Sequence, residues 1–293
     1  MQRRASLESV DNRSEIREFL ASRRAKLSPE QAGLGGLHSG HRRVPGLRRE
    51  EVALLAGVSV EYYARLERGN LGGVSESVLD ALSGALQLDE AERQHLYDLA
   101  RTAGATPRTT RRRRTTDEVR PSVVAMLESM TEAPAFVRNG RLDLLAVNRL
   151  ARALFAPAFV TEARPVNLAR FVFLDPASRS FHPNWERSAN TTVALLRTEA
   201  GRDPYNRNLT DLVGELSTRS DEFRTRWAAH DVRLHHSGVK HFHHPEVGAL
   251  ELNFEAMPLP ADPGLTLTAY NAAPGTPSYD GLRLLASLEI VHS

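Results

Sequence analysis

The sequence predicts an α plus α/β protein of two domains: an all-α N-terminal domain, then an antiparallel sheet with packed helices. Three observations predict it. Up to residue 101, apolar residues recur at helical spacing between helix caps. From residue 134 onward, alternating strand-like runs and helical runs take turns. Between them "TAGATPRTTRRRRTTDEVRP" (102–121) has four consecutive arginines and no apolar period, and reads as a tether. The expected boundaries are 1–103, an Arg-rich linker 104–119, and 120–293.

The elements follow in order. "SEIREFLASRRAKL" (14–27) puts Ile16, Phe19 and Leu20 on one helical face. "SPEQAGL" offers Ser28 as a cap, Pro29 at the first helical position and Glu30 in the first turn, so a short helix is expected there. It must stop at the glycine-rich "GLGGLHSG". That stretch lacks the Lys-Ser/Thr of a phosphate loop and follows no strand, so it reads as a loop. "SESVLDALSGALQL" (75–88) and "DEAERQHLYDLAR" (89–101) are helices, opened by Ser75 and by an Asp89–Glu92 capping-box pair.

In the second half, "PAFVRNGRLDLLAVNRLARALF" (134–155) reads as strand, Asn139-Gly140 turn, strand and helix. "NWERSANTTVALLRTEAG" (184–201) is helical, with Gly201 as its stop. "NLTDLVGELS" and "SDEFRTRWAAHD" are two more helices, the latter carrying Phe223, Trp227 and His230 on one face. "GVKHFHH" (238–244), "ALELNFEAM" (249–257) and "LTLTAY" (265–270) are strands. Leu250, Leu252, Phe254 and Ala256 alternate with Glu251, Asn253 and Glu255, as in a half-buried antiparallel strand. "YDGLRLLASL" closes as a helix.

Bulk composition narrows the class. At 41% hydrophobic and 25% charged, this is an ordinary globular chain. It has no cysteine, so disulfides and thiolate metal sites are excluded. No apolar h-region follows the start, and no run is long enough to span a bilayer, so a cytoplasmic protein with no membrane contact is expected. Net charge is +2, split as +4 over residues 1–120 and −2 over the rest. A polyanion partner suits that N-terminal excess, as does a solvated charged face.

"LRREEVALLAGVSVEYYARLERG" (47–69) carries the most information. Val52 and Leu55 can face a core, and Ala53 lets a second helix cross closely. Gly57 stands where the first helix must end at positive φ, and Val58 can plug the corner. Ser59 can cap the next helix, with Glu61 in its favourable first turn. Tyr63 and Leu66 point inward with Val58. Ser59, Val60, Glu61, Tyr62, Ala64 and Arg65 are left outward or flanking, the layout of a helix-turn-helix that offers its second helix to the major groove.

Through Glu51-Val52-Ala53, Ala56-Gly57-Val58-Ser59 and Leu66-Glu67-x-Gly69, this region resembles the phage-repressor (Cro/CI, or XRE) type of helix-turn-helix. With "LVGELSTRSDEFRTRWAAHDV", "KHFHHPEVGALELNFEAM" and "YNAAPGTPSYDGLRLL", nearly the whole chain resembles the MmyB-like regulators. The resemblance implies a lambda-repressor-like N-terminal domain that binds double-stranded operator DNA. It also implies a PAS-like C-terminal domain that binds a ligand.

The residues expected at DNA are Arg42, Arg43, Arg48, Arg49, Ser59, Val60, Glu61, Tyr62 and Arg65. Arg48 and Arg49 open the first helix and suit phosphate oxygens, with Arg42 and Arg43 in the loop before them. Arg65 suits a guanine edge, or an ion pair with Glu61. Glu61 suits a cytosine amino group or the helix dipole.

A small apolar, fatty-acid-like ligand is expected among Trp185, Phe223, Trp227, Phe254 and Tyr270, with Asn148, His230 and Asp231 as polar anchors. Each aromatic equally suits a plain core. No cofactor is expected, and a homodimer on a palindromic site is the simplest assembly. Two rivals stand beside this reading. Six of the eleven histidines lie in "HDVRLHHSGVKHFHH", so a metal-dependent enzyme built on His235, His236, His241, His243 and His244 is one. No HExxH helix and no G-x-S-x-G nucleophile motif accompanies them, and a non-enzyme is expected. A protein-interaction module that no longer binds DNA is the other.

Overall fold

The structure, a computed structural model, describes residues 2–34, 45–104, 117–160, 165–203, 206–228 and 237–291. The chain divides into two compact units. One takes residues 1–113, 197–206 and 228–234; the other takes 114–196, 207–227 and 235–293.

Five helices build the first: α1 (Gln2–Lys26), α2 (Arg49–Leu55), α3 (Val60–Glu67), α4 (Glu76–Ala85) and α5 (Glu90–Gly104). Helix α1 starts well before the expected residue 14, because nothing between Gln2 and Lys26 is proline or glycine. Ile16, Phe19 and Leu20 are buried with Val52, Tyr63, Leu66 and Leu82 in one core. The helix expected at Ser28 is a turn only: Ser28 N–H donates to Gln31 Oε1 (2.9 Å), and Gln31 N–H donates back to Ser28 Oγ (3.3 Å). Reciprocal bonding does open α5, where Asp89 N–H reaches Glu92 (3.1 Å) and Glu92 N–H reaches Asp89 (2.9 Å).

The corner between α2 and α3 is local chemistry. Gly57 takes φ +64, where a side chain is disfavoured. Val58 N–H then returns to Ala53 O (3.0 Å), and Ser59 Oγ accepts from Tyr62 N–H (3.1 Å). Gly69, just past α3, has φ +94, and a Cβ there would lie 2.5 Å from Arg13 O. The Leu-Glu-x-Gly end of the motif is thus a close backbone approach to α1.

One carboxylate ties three helices. Glu67, at the end of α3, is only 3% exposed and accepts two guanidinium forks. Arg24 of α1 donates through Nε (3.1 Å) and Nη2 (2.9 Å). Arg49 of α2 donates through Nε and Nη2, both at 3.2 Å. Burial pushes the Glu67 carboxyl up, but the hydrogen bonds and charges of Arg24 and Arg49 win, and its pKa is lowered overall. Tyr63 beneath is raised by burial and then by the Glu67 charge, so its phenol stays neutral.

The second unit holds β1 (Ala135–Arg138), β2 (Leu144–Val147), β3 (Ser237–His244), β4 (Gly248–Pro258) and β5 (Thr266–Asn271). They form one antiparallel sheet in the order β2-β1-β5-β4-β3. Around it lie α6 (Pro121–Ser129), α7 (Arg149–Leu154), a 3-10 turn (Ala156–Phe159), α8 (Leu168–Leu174) and α9 (Ala177–Phe181). The helices α10 (Trp185–Arg202), α11 (Arg207–Arg219), α12 (Asp221–Ala228) and α13 (Pro277–Val291) follow. Helix α10 runs past Gly201, and its residues from 197 on are counted with the first unit, as is Ala228 at the end of α12. Along β4 the expected alternation holds, with Leu250, Leu252, Phe254 and Ala256 buried. That face packs on Leu150 and Leu154 of α7 and on Leu282 and Leu285 of α13. The opposite face, through Ala135, Val137 and Leu267, packs on Val123 and Leu127 of α6. Among the described residues no helix is long and apolar enough to cross a membrane.

The Asn139-Gly140 hairpin is wider than the two-residue turn expected. Asn139 Oδ1 accepts from Arg141 N–H and Asp143 N–H, both at 3.0 Å, and Leu142, rather than Gly140, takes the left-handed φ of +68. The side-chain bonds of Asn139 organise the longer loop, and burial of Leu142 offsets the strain.

Replacing Glu67 with Gln leaves Arg24 half-buried without a counter-charge, and should destabilise the first unit by about 3 kcal/mol. Arg49 is more than half exposed, so Arg49→Ala should cost under about 1 kcal/mol. Because the Glu67 pKa is lowered, its contribution is complete above the ordinary carboxylate range and is lost as pH falls through the lowered value. Urea melts across that acid range should show a slope in the wild type that Glu67→Gln flattens.

Candidate nucleic-acid interface and ligand cavity

Ser59, Val60, Glu61 and Arg65 of α3 are all exposed, and Tyr62 is half-buried beside them. The Arg65 guanidinium lies 5.7 Å from the centre of the Tyr62 ring and forms no ion pair with Glu61. Stacking leaves its donors directed outward and limits its rotamers. Arg48 is half-buried at the cap of α2. Its backbone N–H donates to Glu51 (2.6 Å), and its side chain pairs with exposed Glu50 (3.3 Å). Arg49 leans on Glu67, so one face of its guanidinium serves the fold and the rest meets solvent. Arg42 and Arg43 lie outside the described residues.

In the second unit a cavity of about 80 Å³ opens between the sheet and the helices α8 to α10. Its walls are aromatic: Phe136, Phe155, Phe171, Phe242, Phe254 and Tyr270. Most of these rings meet edge-on or tilted, at centroid distances such as 5.6 Å for Phe136–Phe155 and for Phe155–Phe242. Polar groups are few. Ser188, Thr191 and Thr192 come from α10, and Thr268 from β5. The Thr268 hydroxyl is buried and has no hydrogen-bond partner among the described residues.

Three nitrogen-bearing side chains complete the wall: Arg138, His182 and Lys240. Among the described residues no acidic side chain lines it. Burial, then the Lys240 charge, pushes His182 down to about 3, so its ring is neutral at pH 7. Burial, then the charges of Arg138 and Arg187, brings Lys240 down to about 8. Strand register places Lys240 opposite Leu252, and its Nζ lies 5.4 Å from the centre of the Phe254 ring.

Of the residues expected to hold a ligand, Phe254 and Tyr270 line this cavity. Asn148, Trp185, Phe223 and Trp227 do not. Asn148 caps α7, accepting from Ala151 N–H (2.8 Å) and Ala135 N–H (3.1 Å). Its amide donates to Met130 O and Ala133 O, each at 2.7 Å. Two acceptor sites and two donors are all an asparagine side chain has, so nothing remains for a ligand. Trp185 bonds Val172 O through Nε1 (3.0 Å), and the Arg179 guanidinium sits 4.0 Å over its ring. Phe223 and Trp227 stack at 5.5 Å, in a cluster that Phe173 shares. His230 and Asp231 lie outside the described residues. Sequence reasoning missed Arg138, His182, Lys240 and Thr268. For Lys240 a signal existed: it stands two residues before Phe242, on the same strand face.

The histidines of β3 part company. His241 bonds Glu251 on the exposed face (3.0 Å), and His243 is exposed beside it. His244 turns inward, with Nε2 3.0 Å from Ala153 O. Among the described residues no three His, Asp or Glu side chains are grouped to hold a metal, and His235 and His236 lie outside those residues.

An exposed helix on a capped corner, followed by a sheet-walled aromatic cavity, suits a DNA-binding transcription regulator with a ligand-binding domain. Family models agree: residues 15–96 match a helix-turn-helix domain, and residues 119–285 match the MmyB-like transcription regulator ligand binding domain. The chain belongs to the MmyB-like transcription regulators. A search of curated proteins finds no match.

Asn148→Ala should cost about 2–4 kcal/mol, since it orphans backbone groups of both β1 and α7. Phe254→Ala should cost a similar amount through the cavity it creates, and it alone should alter what the domain binds. Urea melts, with binding of a fluorescent apolar dye measured below the transition, separate the two.

Proposed function

We propose that this protein binds a specific operator in double-stranded DNA as a homodimer, and that a small molecule in the aromatic cavity controls it. The exposed edge of α3 carries the first half of the reading. Ser59, Val60, Glu61, Tyr62 and Arg65 enter the major groove, with Arg65 on a guanine. Arg48, the outer face of Arg49, and Arg42 and Arg43 meet phosphates on either side. Two copies then read half-sites about 34 Å or a multiple apart.

The cavity carries the second half. Its apolar walls suit an apolar body, and Arg138, Lys240 and the free Thr268 hydroxyl suit a polar or anionic head. Volume limits the fatty-acid-like reading. Ligand sites usually run from about 300 Å³, and a cavity of about 150 Å³ takes benzene. At about 80 Å³ this one admits a compact ligand, and a long acyl chain requires the walls to part. Occupancy shifts the balance between two dimer arrangements and so the spacing of the two reading helices.

Fluorescence anisotropy on duplex DNA recovered by genomic capture tests the DNA half. Arg48→Ala should weaken binding to all duplexes alike and lower the salt slope by about one. Arg65→Ala should remove about 1–3 kcal/mol of preference for the captured site over a scrambled one. No preference in the wild type, or no salt dependence, contradicts the reading and favours an interaction module.

A further inference from the structure

The chain holds 38 basic residues besides histidine, and all but Lys26 and Lys240 are arginine. Lys26 is exposed at the end of α1. Lys240 is the lysine that lines the cavity. Where only charge is needed, this sequence uses arginine. A lysine differs in one respect that matters in an apolar cavity: it can lose its proton and become a nucleophile.

The surroundings favour that. No acidic side chain lines the cavity to hold an ammonium, and Lys240 has no carboxylate partner among the described residues. The groups facing it are Arg138 and Arg187, both cationic, the neutral His182 and the Phe254 ring. Desolvation together with neighbouring cations is a standard way to activate a lysine amine. Both lower Lys240 to about 8, so about a tenth is free amine at pH 7, far more than for an ordinary lysine.

We propose that Lys240 captures a compact aldehyde in the cavity as an imine. This rests on the reading of the cavity as the ligand site. The amine lone pair forms a C–N bond to the carbonyl carbon. The carbonyl oxygen leaves as water, carrying the two amine hydrogens, and no carbon changes oxidation state. The apolar body of the aldehyde lies against Phe254, Phe242 and Tyr270. The link is reversible by water, which suits a signal rather than a permanent mark.

The test uses the full chain with butanal and sodium cyanoborohydride near neutral pH, followed by peptide mapping. Lys26 and Lys240 are the two lysines of this sequence, so the map is simple. Butylation of Lys240 should exceed that of Lys26 at least about tenfold, and unfolding in urea should erase the difference. Lys240→Arg should lose the cavity label and keep the Lys26 label. If that variant does not fold, the wild-type ratio with and without urea decides. Equal labelling of the two lysines in the folded protein overturns the proposal. Thermal melts with butanal and with butanol separate this failure from failure of the cavity reading. Equal stabilisation by both without a Lys240 label removes the imine and leaves the cavity as a binding site. No stabilisation and no label removes both.

Discussion

The junction of α1, α2 and α3 turns on the Glu67 carboxylate. It sits at the end of the reading helix and takes one fork from α1 and one from α2. A buried carboxylate is costly alone, and two arginines reverse the sign. The angle between α2 and α3 is therefore held by directional, charge-assisted bonds as well as by the apolar packing of Val52, Tyr63 and Leu66. Bonds of this kind fix orientation more than they add raw stability. The same network gives Arg49 a double part: it fixes the helix it opens, and its exposed face stays available to an anion.

The second unit obeys the opposite constraint. Its cavity collects cationic groups and supplies no acid. The Thr268 hydroxyl, buried in the same wall, has no hydrogen-bond partner among the described residues. A buried hydroxyl left unmatched lowers stability. The wide Asn139 loop and the four-bonded Asn148 cap show how fully this domain satisfies its polar groups elsewhere.

How far the sequence could be read follows from how local each feature is. Gly57, Val58 and Ser59 act within a few residues of themselves, so the corner was legible, as were Tyr63 and Leu66 in the core. Strand β4 was legible because a period of two needs no partner to be seen. Glu67 was not, because "LERG" looks like surface until residues 43 and 18 positions away arrive. Asn148 suits a polar anchor for a ligand in the sequence, and only the folded chain brings together the four backbone groups that use all its bonds. The aromatic cluster of Trp185, Phe223 and Trp227 was equally ambiguous, since a core and a ligand wall share one composition. Lys240 was hidden among histidines, though its strand position already paired it with Phe242.

The central claim is that cavity occupancy sets operator affinity. The most direct measurement is the operator Kd of the wild type and of Ala256→Phe, whose new ring fills the cavity opposite Thr268, with and without small molecules extracted from cells. A ligand-controlled regulator should show at least about a fivefold shift in the wild type and none in the filled variant. Operator affinity that stays the same for every compound shown to enter the cavity would contradict it.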